Sequence, residues 1–366
     1  MTESDVDLTV WEPVSASELM PPHPMPLTWS VIAPLLEAAH RQVVEGLREV
    51  ARADLSAGPR WQLVNGQTYR RREMATVNGR TTVRSGLLAQ VGLGSRGPKA
   101  LSAAADAAAE CCQRVQRWYT RVRATRWGQA DLLQVMEEIE PQGILALSTW
   151  EQMRLVWQES SGEVLQAQQE AWPDASPAEV RDLLTPVSGY ELALERVARG
   201  ADSREAFIAR FGHRGANEPE LASPRWHEDL AQVNAQLAVM MVTPGPDAAG
   251  RLTQAEQRLL DHLRFLRRRN VESLLHARRR FGELLDQADD ARAYWLAAAR
   301  VWTLAASQEA LADHRLRDAS DIFFLELEEV KQLMTGEWNV THRQQLYDLV
   351  AARRRLALNP PNDPAE

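Results

Sequence analysis

In 366 residues the sequence has two cysteines and two lysines. Cys111 and Cys112 are adjacent within an Ala-rich stretch of helical character, which excludes a disulfide framework or a zinc knuckle and leaves buried or idle thiols. Lysine is confined to Lys99 and Lys331, so nearly every cation is arginine, and an arginine cluster carries little functional information by itself. No apolar run reaches the roughly eighteen residues that a membrane span requires. The start, with Glu3, Asp5 and Asp7, is acidic and leads into no apolar segment of the signal-peptide kind, so a cytoplasmic protein is expected. A formal charge of −8 is a poor basis for counterion release from a phosphate backbone. Neither a nucleic-acid partner nor a membrane partner is therefore expected.

Catalytic signatures are missing too. None of the eight histidines forms a His-Glu-x-x-His pair or a Cys/His set, and no Gly-x-Ser-x-Gly elbow occurs. Gly92, Gly94 and Gly97 have dinucleotide-loop spacing, but a long Ala-rich helix follows instead of a second strand with its acid. As a phosphate loop the segment fails as well, because Pro98 separates Gly97 from Lys99. A plain inter-helix loop is expected there. No catalytic residue, metal ligand or cofactor is assigned.

What the sequence does have is helical periodicity, with 45% hydrophobic residues, enough for one large core or two ordinary ones. Ile32, Leu35, Leu36, Ala39, Val43, Leu47 and Val50 recur at spacings of three and four, as do Leu252, Ala255, Leu259, Leu263, Leu266, Leu274, Ala277, Phe281 and Leu284. Further helices are expected over about 99–125, 129–139, 143–159, 177–184, 188–199, 202–211, 227–241, 289–313, 321–334 and 339–356. Asn65-Gly66 and Asn78-Gly79 flank Thr68-Tyr69 and allow one hairpin. The fold class expected is all-α, a multi-helix domain with at most a small β-hairpin near residues 61–83. An extended Pro-rich linker over 1–26 precedes one helical domain over 27–357, and a disordered tail follows over 358–366.

The most distinctive stretch runs from Phe211 to Asp229. Gly212 and Gly215 bracket His213-Arg214 just after a helix, with Glu218, Arg225 and Trp226 close behind. Glycines there let the backbone turn tightly while a cation and an imidazole are held near a carboxylate. The arrangement suits an anion or ligand clamp, or a structural knot in which His213 and Arg214 satisfy buried carboxylates and carbonyls. Arg264, Arg267, Arg268 and Arg269 cluster on the long helix as a solvated face or a phosphate-binding patch. Candidate ligand-binding residues are His213, Arg214, Glu218, Arg225, Trp226, Arg264 and Arg269.

The run Phe211-Gly212-His213-Arg214-Gly215, with Glu218, Pro224-Arg225-Trp226 and Glu228-Asp229, is followed by Asp321-Ile322-Phe323-Phe324-Leu325 and Glu328-Glu329. Together they resemble the central helical, rifampicin-binding-like domain of rifampicin phosphotransferase and of related phosphoenolpyruvate-synthase-like, PEP-utilising proteins. Pro24 to Ser30, after Glu18, and Val64 to Tyr69 resemble two further landmarks, so the likeness spans roughly Trp11 to Arg355. The resemblance implies that residues 27–357 bind the acceptor, while an ATP-grasp domain and a swivelling phosphohistidine domain, neither visible in this sequence, handle the phosphate. It departs at Arg269-Asn270, where relatives often have Arg-Glu, and at Met25, where a Thr is common.

These observations lead to the acceptor-binding component of a split phosphotransferase, with separate ATP-grasp and phosphohistidine proteins as partners. The alternative is a stand-alone small-molecule binding or sequestering protein, and an autonomous enzyme with an unseen site is a third. Twelve tryptophans, among them Trp29, Trp150, Trp157, Trp226, Trp295 and Trp302, suit a pocket for a small apolar or aromatic acceptor.

Overall fold

The computed structural model describes residues 10–14, 19–47, 60–71, 97–242, 248–338 and 340–358. The glycine loop up to Arg96, the second Asn-Gly pair at 78–79, Glu18 and the tail from 359 onward lie outside the described residues.

Helices account for most of the described chain: α1 (Pro26–Leu47), α2 (Gly97–Ala124), α3 (Gln129–Ala171), α4 (Pro177–Leu184), α5 (Gly189–Ala198), α6 (Arg204–Phe211), α7 (Leu230–Val242), α8 (Ala248–Asp261), α9 (Phe265–Ala312), α10 (Leu327–Thr335) and α11 (Arg343–Leu358). Short 3-10 turns at Ala319–Phe324 and Val340–His342 lead into the last two. The fold is all-α, with one small sheet.

Asn65 and Gly66 both take positive φ, 50° and 82°, so the two-residue turn joins β2 (Trp61–Val64) to β3 (Gln67–Arg71) with the twist a tight hairpin needs. The expected hairpin has a third strand, β1 (Trp11–Pro13), paired antiparallel on the other edge of β3. The described residues of the extended Pro-rich stretch over 1–26 pack against this hairpin. Arg70 and Glu12 form a cross-strand ion pair at 2.6 Å, Thr68 donates to the Pro21 carbonyl at 2.8 Å, and Met20 is fully buried. Proline fits an edge strand because its missing N–H faces away from the ladder.

Two expected helix breaks do not occur. Residues 129–159 form part of one helix, α3, although Pro141 lies inside it. Pro141 lacks the amide that would bond to Glu137, yet packing holds the helix through the gap. The indole of Trp295 donates to the Ile139 carbonyl at 2.9 Å and lies so close that a Cβ on Gly143 would meet the ring at 2.8 Å. Likewise residues 265–312 are one helix, since neither proline nor a C-cap glycine stands between Leu284 and Asp289.

The core gathers around the C-terminal half of α9, which packs against α2 and α3, while α1 lies on α3. Residues 291–300 of α9 are all buried, and alanines at 288, 291, 293, 297, 298 and 299 let neighbouring backbones come close. A helix segment buried on every side is one enclosed by others. Trp295 and Trp302 each fill the core and donate to carbonyls of α3, at Ile139 and Leu132. No described helix is long and apolar enough to cross a membrane.

Candidate functional site: a buried ionic knot beside an arginine-lined cavity

After α6 ends at Phe211, the chain from Gly212 to Asp229 folds back on itself. Trp226 N–H donates to the Arg214 carbonyl at 2.7 Å and His227 N–H to the Gly212 carbonyl at 3.0 Å, a short clasp between the two ends of the loop. The bracketing glycines serve space, not handedness. Neither is at positive φ, but a Cβ on Gly215 would sit 2.9 Å from the Pro224 carbonyl oxygen.

The clasp aims His213 and Arg214 at α9. There Asp286, Asp289 and Asp290 lie at spacings of three and four, which places all three carboxylates on one face. His213 Nε2 meets Asp290 Oδ1 at 3.1 Å, and its ring stacks on Tyr294 with centroids 3.7 Å apart. Arg214 bridges Glu218 at 3.0 Å and also pairs with Asp289 and Asp290, while its guanidinium lies 4.5 Å over the Tyr190 ring. Arg292 closes the loop, 2.7 Å from Glu218 and 2.8 Å from Asp289. Asp286 accepts from the Gly189 N–H at 2.9 Å, at the start of α5.

Burial would raise the Asp289 carboxyl, but Arg292 and Arg214 outweigh it and hold it well below the carboxylate range. Burial pulls Arg214 down and the facing carboxylates of Glu218 and Asp289 more than reverse this. Asp286 has less compensation, and burial pushes it up.

Arg225 is fully enclosed: it donates to the Glu218 carbonyl at 2.7 Å, its Nε has no partner, and burial lowers it to about 10. The indole N–H of Trp226 is also buried without a partner, its ring set against Phe207 and Tyr190. His213, Arg214, Glu218, Arg225 and Trp226 therefore come together as one knot. Arg264 and Arg269 do not join it; both are exposed at the N-terminal end of α9.

Sequence reasoning missed the knot's other half, Asp289, Asp290, Arg292 and Tyr294, although three acids at helical spacing in an Ala-rich stretch were a visible signal. It also missed Glu220. That buried carboxylate accepts from Met25 N–H at 3.0 Å and from the Thr28 hydroxyl, capping the start of α1. An acid is favoured at a helix N-terminus. Burial nevertheless raises the Glu220 carboxyl, against the bond from Thr28.

Beside the knot lies a cavity of about 300 Å³ between α1, α3, α9 and the hairpin. Asp289 and Arg292 of the knot form part of its wall, and Arg60, Arg70, Arg154 and Glu151 line the rest. Trp61 and Trp150 add aromatic surface. Four arginines against two carboxylates give the lining a net positive charge, in a chain whose overall charge is −8. Glu151 organises the side away from the knot through its own ion pairs. It meets Arg154 at 2.8 Å, Arg60 at 3.1 Å and His40 at 3.0 Å. Burial would raise its carboxyl, but the bonds from His40 and Arg154 hold it well below the carboxylate range. The cavity can therefore take a polar or anionic group against guanidinium edges while an aromatic body rests on indole.

Among the described residues no cluster of histidine, cysteine and carboxylates has the geometry to hold a metal ion. Cys111 is buried, and Cys112 is pushed up to about 12 by burial and by Asp290, so neither favours a thiolate.

Comparison with curated proteins gives no match. A protein-family comparison does: residues 169–295, which contain the whole clasp, the aspartates of α9 and Arg292, match the family model of the rifampicin phosphotransferase fourth domain. The residues that build the knot thus lie within a segment similar to the rifampicin phosphotransferase fourth domain, as the motifs from Phe211 to Asp229 lead one to expect.

Proposed function

We propose that this helical unit is the acceptor-binding part of a phosphotransferase of the rifampicin phosphotransferase kind. The acceptor, a small molecule with an apolar or aromatic body, occupies the cavity between α1, α3, α9 and the hairpin. Phosphate reaches it from a phosphohistidine module charged by an ATP-grasp module. In the split arrangement these modules are separate chains.

The observation that carries this reading is the coincidence of the family match with the cavity wall. Asp289 and Arg292 belong both to the matched segment and to the lining. Phosphoryl transfer asks a protein for positioning and for cations around spreading negative charge, because little covalent work is left to its side chains. Arg60, Arg154 and Arg292 suit that role, because carboxylates already hold them in place and little ordering remains to be done when a ligand arrives. Trp61 and Trp150 are suited to the body of an aromatic acceptor.

The test is a thermal-shift screen of bulky aromatic and polyketide-like compounds against small carboxylates, followed by phosphoryl transfer from ATP with ATP-grasp and phosphohistidine proteins supplied. A ligand at a hundred times its Kd stabilises by about 2.7 kcal/mol, a shift of roughly 3–4 °C for a chain of this size. Aromatic binders that become phosphorylated only when both partners are present support the reading. Aromatic binders that are never phosphorylated favour sequestration, and a response to small carboxylates alone overturns the aromatic-acceptor assignment. The protein by itself is expected to turn over no ATP.

A further inference from the structure

A second concavity lies on a different part of the molecule and shares no lining residue with the arginine-lined cavity. It is a groove of about 660 Å³ between α1, the N-terminal part of α3 and the start of α10. Its floor is apolar, with Val31, Leu35 and Ile139 buried beneath and Met136 and Leu327 half-buried at the sides. The volume falls within the range of sites that hold small organic ligands.

The rim has one dominant sign. Glu137, Glu140, Glu326 and Glu328 surround the opening, with Lys331 the single cation of the lining. Lys331 is 3.4 Å from Glu328 and Arg353 is 3.3 Å from Glu326, so those two acids are balanced from within. Glu137 and Glu140 are exposed, and among the described residues neither has an ion-pair partner. The groove thus sets two uncompensated carboxylates over an apolar floor, the electrostatic inverse of the first cavity.

A proline interrupts the backbone ladder in both helices that wall the groove. Pro34 and Pro141 lie inside α1 and α3, and neither has the amide hydrogen that would close onto the carbonyl four residues earlier. Those carbonyls belong to Ser30 and Glu137, both of which line the groove. The walls are also fastened: Leu327 N–H donates to the Ser30 hydroxyl at 2.8 Å, joining α10 to α1 beside the opening.

We propose that this groove binds a lipophilic cation, an apolar body carrying a protonated amine. The body covers the floor from Val31 to Ile139, and the ammonium sits between Glu137 and Glu140. Charge complementarity sets the sign of the ligand, and the apolar floor excludes a plain inorganic cation.

Three dansyl probes with one fluorophore and different charge test this: dansylcadaverine (cationic), dansylamide (neutral) and dansylglycine (anionic). Dansylcadaverine is expected to bind most tightly, with blue-shifted emission, and dansylglycine most weakly. The double substitution E137Q/E140Q changes only exposed side chains, and it should weaken dansylcadaverine about fivefold while leaving dansylamide unchanged. Raised salt should reproduce part of that loss. Ala38→Trp, placed in the groove wall, should abolish binding of all three; if that variant fails to fold, the glutamine pair decides. Equal affinity for the three probes, or no effect of the glutamine pair, overturns the proposal. So does binding of a Lys/Leu amphipathic peptide without any response to the amine, which would assign the groove to a protein partner.

Discussion

The two halves of α9 use arginine in opposite ways. From Arg264 to Arg280 most of the side chains are exposed or half-exposed and pair at the surface, as Arg267 does with Glu170 and Arg268 with Glu272. From Asp289 onward the arginines are buried: Arg292 is locked to Glu218 and Asp289, and Arg300 reaches Glu228 at 2.7 Å and the Leu221 carbonyl at 2.7 Å. Arg278 is the exception in the first half, enclosed 4.2 Å over the Trp157 ring and lowered to about 10 by burial. Residue type is the same throughout, so burial and the number of fixed partners decide which arginines define the structure. A surface pair is worth little because water already solvates both ions, whereas a buried ion stripped of its partner stays unsolvated.

The sharpest way to break this contrast is to remove a buried cation. Arg214→Ala leaves Glu218 and Asp289 with Arg292 as their one remaining cation in the knot and is expected to cost about 3 kcal/mol in urea unfolding. Unchanged stability with lost acceptor binding would instead make Arg214 a contact residue of the cavity.

Acid should reach the same network from the other side. Asp289 and Glu151 have folded-state pKa values below their unfolded ones, so their stabilisation is present at neutral pH. It is lost as pH falls below about 4.5 toward those depressed values, and a decline of roughly 2 kcal/mol is expected from denaturant midpoints taken at pH 7 and pH 3. Glu220 acts in the opposite sense: its raised carboxyl is relieved of burial as it takes up a proton. Glu151→Gln should therefore flatten the acid slope, and a slope unchanged by it would mean that Glu151 is not held as described.

A smaller effect is expected from Gly215→Ala. The new methyl would press on the Pro224 carbonyl oxygen, and a loss of about 1–2 kcal/mol should appear in the same unfolding assay. Smallest of all are Arg264→Ala and Arg269→Ala, each expected within about 0.5 kcal/mol of the parent. A larger change in melting temperature at either position would erase the distinction between the two halves of α9.

How far the sequence could be read follows from the same physics. Helical periodicity placed most elements, because an amphipathic stripe is a local property, and Asn65-Gly66 placed the hairpin turn. Continuity through Pro141 was not legible, since it depends on the Trp295 indole reaching Ile139 from 156 positions away. The knot was legible by half: His213 and Arg214 stood out between glycines, but the aspartates at helical spacing on α9, though visible, carried no sign of which cation they would face. Arg264 and Arg269, read from sequence as part of either a solvated face or a phosphate-binding patch, lie exposed away from the knot, because nothing local to a residue says which carboxylate will face it.

The cap that Glu220 places on α1 has a consequence for how the chain is made. The acceptor of the Met25 amide stands 195 residues downstream. At about 5–20 residues per second of synthesis, the start of α1 leaves the ribosome some 10–40 seconds before its cap exists. Throughout that interval the first turn of α1 depends on water or on a chaperone for its amide partners, and an arrest before residue 220 would leave the helix permanently open at that end.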